Sequence, residues 1–331
     1  MYILFYELIR VAIGVSPSLT RVPSAEEWHR LYDLSEQQSL LGICFAGIEK
    51  LSKDQFPDKT ILLYRIGQTE YIKSQNKLLN YQCAEVEKIL IKQELSSCIL
   101  KGQGVGALYG ELAPYRSPGD IDLWVNGTCT QVLDYVNEIS PNREFDGKHT
   151  HLIIFPNTSV EVHWWPSVSS NPVLSRKLKS FYRVQVSTQC NHEITLYSGQ
   201  TITATDAYFN SIHILLHIFG HFLYEGVTLK QLTDYYFVCN HEDVQKRKEE
   251  IVTYYKDFGL YDFSRSVMWI LQEAFGMDDK YLLVEPDAKG GRKMLEEIMR
   301  WGNINHTSAN NKTRKKVHFV DGYIEQNERC V

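Results

Sequence analysis

The stretch that decides the fold runs over residues 116–125 and reads Arg-Ser-Pro-Gly-Asp-Ile-Asp-Leu-Trp-Val. A Pro-Gly loop leads into alternating residues, which predict a strand over Asp120–Val125 that stops at Asn-Gly. Because successive side chains of a strand point to opposite faces, Asp120 and Asp122 are predicted to share one face. The apolar residues predicted on the opposite face are Ile121, Leu123 and Val125.

A second strand is predicted further along the chain, in the run Val-Glu-Val-His-Trp-Trp over residues 160–165. The same alternation puts Glu161, His163 and Trp165 on one face and the remaining apolar residues on the other. If this strand lies beside the acidic strand with matched faces, Glu161 becomes a third carboxylate next to Asp120 and Asp122. A register shift of one residue would turn Glu161 to the far face.

Clustered carboxylates indicate a metal site when they share one face. Each negative charge raises the cost of ionising its neighbour, and a divalent cation removes that cost. Hard oxygen ligands suit Mg²⁺. Three acids on neighbouring strands form the kind of two-metal site that clamps the attacking and leaving oxygens in phosphoryl transfer. An isolated Asp-x-Asp is weak evidence, because most such pairs in proteins are solvent-exposed surface residues.

The residues upstream of the acidic strand strengthen this interpretation. A short apolar run over residues 97–100 predicts a strand, which ends at the turn Lys101-Gly102-Gln103-Gly104. A short helix is predicted over Val105–Leu112. Backbone N–H groups at such a turn can bind phosphates, and Lys101 adds positive charge. The order of turn, helix and acidic strand is more specific than any one of its parts.

With these residues in place, the chain resembles a largely uncharacterised family of bacterial nucleotidyltransferase-like proteins. That family is grouped with DNA polymerase β, kanamycin nucleotidyltransferase and the CCA-adding enzymes. The close match covers roughly residues 95–166, and a looser one continues to Asp234. The matching segments are Leu100-Lys-Gly, Leu108-Tyr109, Arg116, Gly119-Asp-Ile-Asp122 and Glu161-Val-His-Trp164.

The resemblance implies a mixed sheet core and a set of functional residues. It implies that Asp120 and Asp122 bind Mg²⁺ (or Mn²⁺) and the triphosphate, and that Glu161 completes the metal site and helps to activate the acceptor hydroxyl. The residues expected to bind nucleotide are Lys101, Gly102, Gln103 and Arg116. The chain departs from the superfamily at the turn, where Gly102-Gln103 replaces the usual Gly-Ser or Gly-Gly and a longer loop follows.

Helical patterning flanks this core on both sides, so the expected fold class is α+β. The predicted organisation is an N-terminal helical region over 1–95, a catalytic core over 96–200, a C-terminal helical region over 201–302 and a loose tail over 303–331. The further predicted features are capping boxes at Ser24/Glu27 and Thr203/Asp206, a hairpin of His149–Phe155 with Ser159–Trp165, strands at Phe181–Val186 and Glu193–Tyr197, and a basic cluster at Lys312–Lys316.

Three histidines stand at intervals of four residues in the helix predicted to begin near Thr203. His213, His217 and His221 therefore line one face of it. Spacing of this kind can bind a transition metal, but no Glu follows His213 as it does in the zinc-hydrolase motif. A polar stripe that faces the cleft or another helix is the preferred interpretation. His163, His213, His217 and Asp234 are candidates for an acceptor pocket, and Asp234 could accept a hydrogen bond from one of the imidazoles.

Composition narrows the protein class. The 331 residues carry a formal net charge of −5, which gives no overall attraction to a long nucleic acid or an anionic membrane. No apolar run approaches the roughly 20 residues that a spanning helix needs. Seven cysteines without a Cys-x-x-Cys pair fit reduced thiols better than a disulfide framework, so a cytoplasmic location is expected.

The sequence supports two hypotheses about function, one an enzyme and the other a binding protein. In the first, the protein transfers a nucleotidyl group from an NTP to a hydroxyl acceptor. The candidate acceptors are a small molecule, a peptide, a protein or RNA, and the acidic pI disfavours a long nucleic acid. In the second, it is a catalytically inactive nucleotide- or partner-binding protein of the same fold, a reading favoured by the altered turn. A zinc hydrolase built on the histidine helix is a third and weaker reading.

Overall fold

The computed structural model describes residues 2–141, 145 and 147–302. The predicted tail over 303–331, including Lys312–Lys316, lies outside these residues. Within them the fold is α+β, as expected: helices surround a small mixed sheet. The α-helices are α1 Tyr2–Ala12, α2 Ala25–Gln37, α3 Leu41–Lys50, α4 Lys59–Ile91, α5 Gly102–Gly106, α6 Cys129–Ile139, α7 Pro172–Gln189, α8 Ala207–Tyr224, α9 Leu229–Cys239, α10 Glu242–Lys246, α11 Lys248–Asp257, α12 Tyr261–Phe275 and α13 Ala288–Trp301.

Four strands form the central sheet in the order β1-β2-β4-β3. They are β1 Ser97–Leu100, β2 Ile121–Val125, β3 His149–His151 and β4 Val160–His163. Strand β2 pairs antiparallel with β1 and parallel with β4, whereas β3 and β4 pair antiparallel as the predicted hairpin, with shorter strands than expected. A separate hairpin joins β5 Glu193–Thr195 to β6 Thr201–Thr203. The acidic strand therefore lies in the middle of the sheet.

The two faces of the sheet belong to different parts of the core. On one face, the apolar residues of β2 and β4 join side chains of α4 and α6 in one hydrophobic cluster. On the other face, Trp124 stacks on Phe209 of α8, with ring centroids 5.2 Å apart, and belongs to the larger cluster that unites the N-terminal and C-terminal helices. Helix α8 thus packs on the face that also carries Asp122.

The predicted strand at Phe181–Val186 is wrong, because this segment lies inside α7. Asn171 begins that helix: its side chain accepts hydrogen bonds from the backbone N–H groups of Val173 and Leu174. Leu178, Phe181 and Tyr182 then fall at helical spacing and are buried. The aromatic and β-branched composition suggests a strand locally, but burial of this stripe against the core favours the helix.

Two other local predictions need correction. The segment predicted as one helix over Val105–Leu112 is divided between α5 and a 3₁₀ helix over Ala107–Tyr115, in which Gly110 adopts a φ of +56°. The capping box at Ser24 and Glu27 is confirmed. At α8, Asp206 caps the helix alone by accepting a hydrogen bond from the Phe209 N–H, and Thr203 ends β6 instead.

Candidate functional site

The register between β2 and β4 brings the acidic residues together. Asp122 lies directly opposite Glu161, and Ile121 lies opposite Val160. Val160 and Val162 are buried in the same cluster as Ile121 and its apolar neighbours, so the two strands present matched faces. The predicted register is confirmed, and Glu161 stands on the same face as Asp122. One buried apolar face was enough to select the face on which Glu161 stands, because a shift by one residue would have exposed both valines.

Ligand atoms of Asp122, Glu161 and His163 lie within 4.8 Å of one another. The Nε2 atom of His163 is 3.2 Å from Oδ1 of Asp122 and 3.2 Å from Oε2 of Glu161. Asp120 immediately precedes β2 and is exposed, so it stands at the solvent side of the group. We call Asp120, Asp122, Glu161 and His163 the acidic cluster.

Lys101 approaches the acidic cluster from the end of β1. Leu100 pairs with Asp122, and the chain then turns sharply, with Lys101 at a φ of +48°. Its Nζ atom lies 3.1 Å from Oδ2 of Asp122. The predicted lysine is therefore in place, but in this structure it contacts a carboxylate that would also be needed to bind metal.

The pKa values of the cluster reflect burial opposed by these charges. Burial alone would raise the pKa of Asp122, but Lys101 and His163 more than offset burial and hold that pKa well below its ordinary value. Burial alone would lower the pKa of His163, but its hydrogen bonds to Asp122 and Glu161 outweigh burial, so the pKa is raised. Asp120 has a raised pKa because of desolvation and of the negative charge on Asp122. Burial would raise the pKa of Glu161, but the hydrogen bond with His163 outweighs burial and lowers it.

The donor set fits a divalent cation. Carboxylate oxygens are the preferred ligands of Mg²⁺ and Mn²⁺, with bond lengths of roughly 2.0–2.5 Å. Two ligand atoms that share one ion can therefore be separated by up to about 5 Å, and the 4.8 Å limit for Asp122, Glu161 and His163 is compatible with this. Among the described residues, Asp120 does not belong to this group of ligand atoms, but its carboxylate interacts electrostatically with Asp122 and Lys101.

The glycine turn has the predicted position, but its glutamine side chain is already engaged. Gly102 follows Lys101 with a φ of +46°, which favours glycine. The Gln103 side-chain amide donates to Oδ1 of Asn80 and, at 3.4 Å, to the backbone oxygen of Asn76, both on α4. The side chain of Gln103 is buried in this contact. Any contact of this turn with a nucleotide would therefore come from its backbone.

Arg116 and Asp234 are brought together, although they were predicted to serve different parts of the site. The Arg116 guanidinium donates to both oxygens of Asp234, at 2.7 and 2.8 Å, and the Tyr109 hydroxyl donates to Oδ1 at 2.6 Å. All three side chains are buried. The predicted hydrogen bond between Asp234 and a histidine is wrong, since Arg116 and Tyr109 occupy the carboxylate. This buried triad joins the loop before β2 to α9.

The histidine stripe of α8 lies close to the acidic cluster. Burial, and next the positive charge of Lys101, lower the pKa of both His213 and His217 well below the ordinary value. Among the residues that the structure describes, neither ring nitrogen of His213 has a hydrogen-bond partner. His221 bonds to Glu225 at 2.9 Å. The stripe therefore offers neutral imidazoles beside the cluster.

We expect that the histidine stripe does not hold structural zinc. Within the described ranges, His213, His217 and His221 do not form a ligand group with any other side chain. Structural zinc sites are usually closed sets of four ligands rich in cysteine. The zinc content of a His217→Ala variant, measured by elemental analysis, should equal that of the wild type. Loss of one equivalent of zinc in this variant would contradict the expectation.

Two groups near the acidic cluster were not identified from the sequence. Lys230 of α9 donates from Nζ to the backbone oxygen of Pro118 at 3.4 Å, next to Asp120. Burial and the neighbouring charge of Arg116 lower its pKa to about 8. His149 and His151 line the edge strand β3 beside Glu161. The sequence could have indicated the two histidines, because they stand two residues apart in a predicted strand. No sequence pattern pointed to Lys230.

Comparison with known proteins gives one result. A family model described as "Uncharacterised nucleotidyltransferase" matches residues 24–276, which span α2 to the end of α12 and include the whole acidic cluster. Neither a curated protein nor a solved structure matches the chain. No helix among the described residues is long and apolar enough to cross a membrane.

Proposed function

The chain belongs to the uncharacterised nucleotidyltransferase family, and from this premise we propose that it transfers a nucleotidyl group from an NTP to a hydroxyl acceptor with the help of Mg²⁺ or Mn²⁺. The observation that carries the proposal is the register of β2 and β4, which sets Asp122 opposite Glu161. Asp120 lies on the solvent side of this pair, and Lys101 contacts Asp122. The site therefore combines oxygen donors for a cation with positive charge for phosphates.

Asp120, Asp122 and Glu161 would hold the metal. A bound divalent ion would neutralise the triphosphate and polarise the phosphoryl oxygens. Lys101 would exchange its contact with Asp122 for a phosphate oxygen, and the backbone N–H groups at Gly102 would bind another. Lys230 stands near Asp120 and would add positive charge at the same end of the site. Positioning and charge neutralisation then account for most of the rate enhancement.

The transfer step is a displacement at phosphorus. The acceptor oxygen forms a bond to the α-phosphorus, and the bond from that phosphorus to the β-bridging oxygen breaks. The bonding electron pair leaves with pyrophosphate, and the carboxylate of Glu161 accepts the acceptor's proton. His213 and His217 would line the acceptor side, where their lowered pKa values favour neutral rings that can hydrogen-bond to an uncharged hydroxyl group.

The acceptor class follows from the charge of the chain. A net charge of −5 favours a small molecule, a peptide or a protein over a long nucleic acid, which is normally bound through an excess of basic residues.

A second candidate is a nucleotide- or partner-binding protein of this family that has no transferase activity. The observation that favours it is the charge compensation of Asp122, which contacts both Lys101 and His163. The burial of the Gln103 side chain, in place of a serine hydroxyl at the turn, points the same way. Binding of an NTP analogue without turnover would support this candidate.

We expect Mg²⁺ or Mn²⁺ to raise the melting temperature, because the ion binds the folded cluster and relieves carboxylate repulsion. A concentration 100-fold above Kd stabilises the fold by about 2.7 kcal/mol, which corresponds to a shift of a few degrees. The measurement is a thermal melt with and without metal. The double variant Asp120→Asn/Asp122→Asn should lose the shift, whereas Asp134→Asn, an exposed residue of α6, should keep it. An equal shift in all three proteins would count against the site.

The proposed function is tested by NTP binding in the presence of Mg²⁺. Calorimetric titration with a non-hydrolysable α,β-methylene NTP should show binding to the wild type and a large loss in Asp122→Asn. Absence of binding to the wild type would refute both the transferase and the inactive nucleotide-binding protein. Binding that is unchanged in Asp122→Asn would place the nucleotide elsewhere.

A further inference from the structure

Three imidazoles and one carboxylate form a compact group on the β3–β4 hairpin. His149 pairs with His163 across the two strands, and His151 pairs with Glu161. Directly opposite residues in an antiparallel pair project from the same face with Cβ atoms about 4.5–5.5 Å apart. The proposed transfer reaction uses Glu161 but assigns no role to His149 or His151.

The side chains of His149, His151 and Glu161 converge. One ligand atom from each lies within 4.8 Å of the others. The Nε2 atom of His149 is 3.6 Å from Oε2 of Glu161, and the rings of His149 and His151 have centroids 5.4 Å apart in an edge-on arrangement. The three ligand atoms are therefore close enough together to approach one ion.

The ligand types differ from those of the acidic cluster. Two imidazoles and one carboxylate are the ligands of catalytic zinc sites, where a fourth position stays open, and of other first-row transition metals. Mg²⁺ prefers oxygen ligands alone. We propose that His149, His151 and Glu161 form a separate site for Zn²⁺ or a similar first-row divalent metal ion. This site is adjacent to the acidic cluster and shares Glu161 with it.

The site is accessible from solvent. Strand β3 is the edge strand of the sheet, and His151 is exposed. The side chains of His149 and Glu161 retain 14% and 21% of their accessible surface. An ion can therefore enter without opening the core. Asp122 and His163, each 3% exposed, lie deeper in the sheet than these two side chains.

Sharing Glu161 couples the two sites. Its Oε2 atom is near Nε2 of both His149 and His163, so a metal held by the hairpin histidines competes with His163 for that oxygen. The metal site does not require nucleotidyl transfer, and it would exist equally in an inactive binding protein.

The test measures Zn²⁺ binding to the full chain after treatment with a chelator. Equilibrium dialysis is run without Mg²⁺, because Mg²⁺ at the acidic cluster would compete for the shared Glu161, and Co²⁺ absorption reports the ligand environment. We expect about one equivalent of Zn²⁺ bound to the wild type and a Kd at least ~10-fold higher in His151→Ala, because loss of a direct ligand costs no less than loss of its hydrogen-bond partner. The matched control is His29→Ala, which removes an exposed histidine of α2.

Further variants decide between sites. Asp122→Asn should retain Zn²⁺ binding, because Asp122 is not one of the three ligands. If Asp122→Asn loses Zn²⁺ binding while His151→Ala keeps it, the ion belongs to the acidic cluster and the proposal is overturned. A wild type that binds no Zn²⁺ would also overturn it. His151 is exposed, so its variant should fold, and circular dichroism checks this. Failure of NTP binding would refute the transferase without changing any of these outcomes.

Discussion

Glu161→Gln is expected to lower nucleotidyl transfer by at least about 100-fold while leaving the fold intact, since loss of one preorganised electrostatic group at a reaction centre typically costs 10²–10³ in rate. The substitution preserves shape and removes the negative charge. Both of the proposed contributions of Glu161, holding the metal and accepting the acceptor's proton, depend on that charge. The side chain is partly exposed, and the amide oxygen of Gln can still accept a hydrogen bond from His163, so stability should change little.

The measurement is transfer of label from an NTP labelled at the α-phosphate, with pyrophosphate release as a second readout and a pool of small hydroxyl compounds as acceptors. Glu138→Gln is the matched control, because Glu138 is an exposed acid of α6. It should behave as the wild type does. Transfer at the wild-type rate by Glu161→Gln would remove Glu161 from the reaction. A wild type that binds NTP but releases no pyrophosphate with any acceptor would favour the inactive binding protein.

Arg116→Met should destabilise the protein by about 3–5 kcal/mol, the usual cost of removing one partner of a buried ion pair. The guanidinium makes two hydrogen bonds to Asp234, and both side chains are buried. Within the described part of the chain, its loss leaves the Asp234 carboxylate with the Tyr109 hydroxyl as hydrogen-bond partner and with the charge of Lys230 nearby. The double variant Arg116→Met/Asp234→Leu should recover part of the loss, because it removes the unpaired charge as well.

Urea denaturation measures this free energy of unfolding. The control is Arg30→Met, which breaks the exposed ion pair with Glu26 on α2 and should cost less than about 1 kcal/mol. If Arg116 instead serves mainly to bind phosphates, the variant would unfold near the wild-type urea concentration and would bind NTP more weakly. That result would support the nucleotide-binding role that the sequence predicts for Arg116, and it would contradict a mainly structural role.

Much of the acidic cluster could be predicted because it depends on a local rule. Period-two alternation over residues 120–125 and 160–165 sorts acids from apolar side chains, and the need to bury the apolar face selects the register. These two facts put Glu161 on the face that carries Asp122, and the structure then shows the two residues paired. Helix α7 could not be obtained in this way, since its segment has strand-like composition and becomes helical through its cap and its packing.

The sequence by itself therefore determined the α+β class and the face on which the acidic residues stand, whereas the strand order came from the structure. Only the tertiary structure decided which partners the other polar groups take. Arg116 and Asp234 are 118 positions apart, and no local pattern predicts that a guanidinium expected at a phosphate would be bound by a carboxylate of α9. No local pattern predicts that the Gln103 amide bonds to Asn80 of α4, or that Lys230 lies beside Asp120. Strand alternation acts between near neighbours, whereas a buried polar group must take whichever partner the packed helices bring within hydrogen-bond distance, because leaving it unpaired costs more.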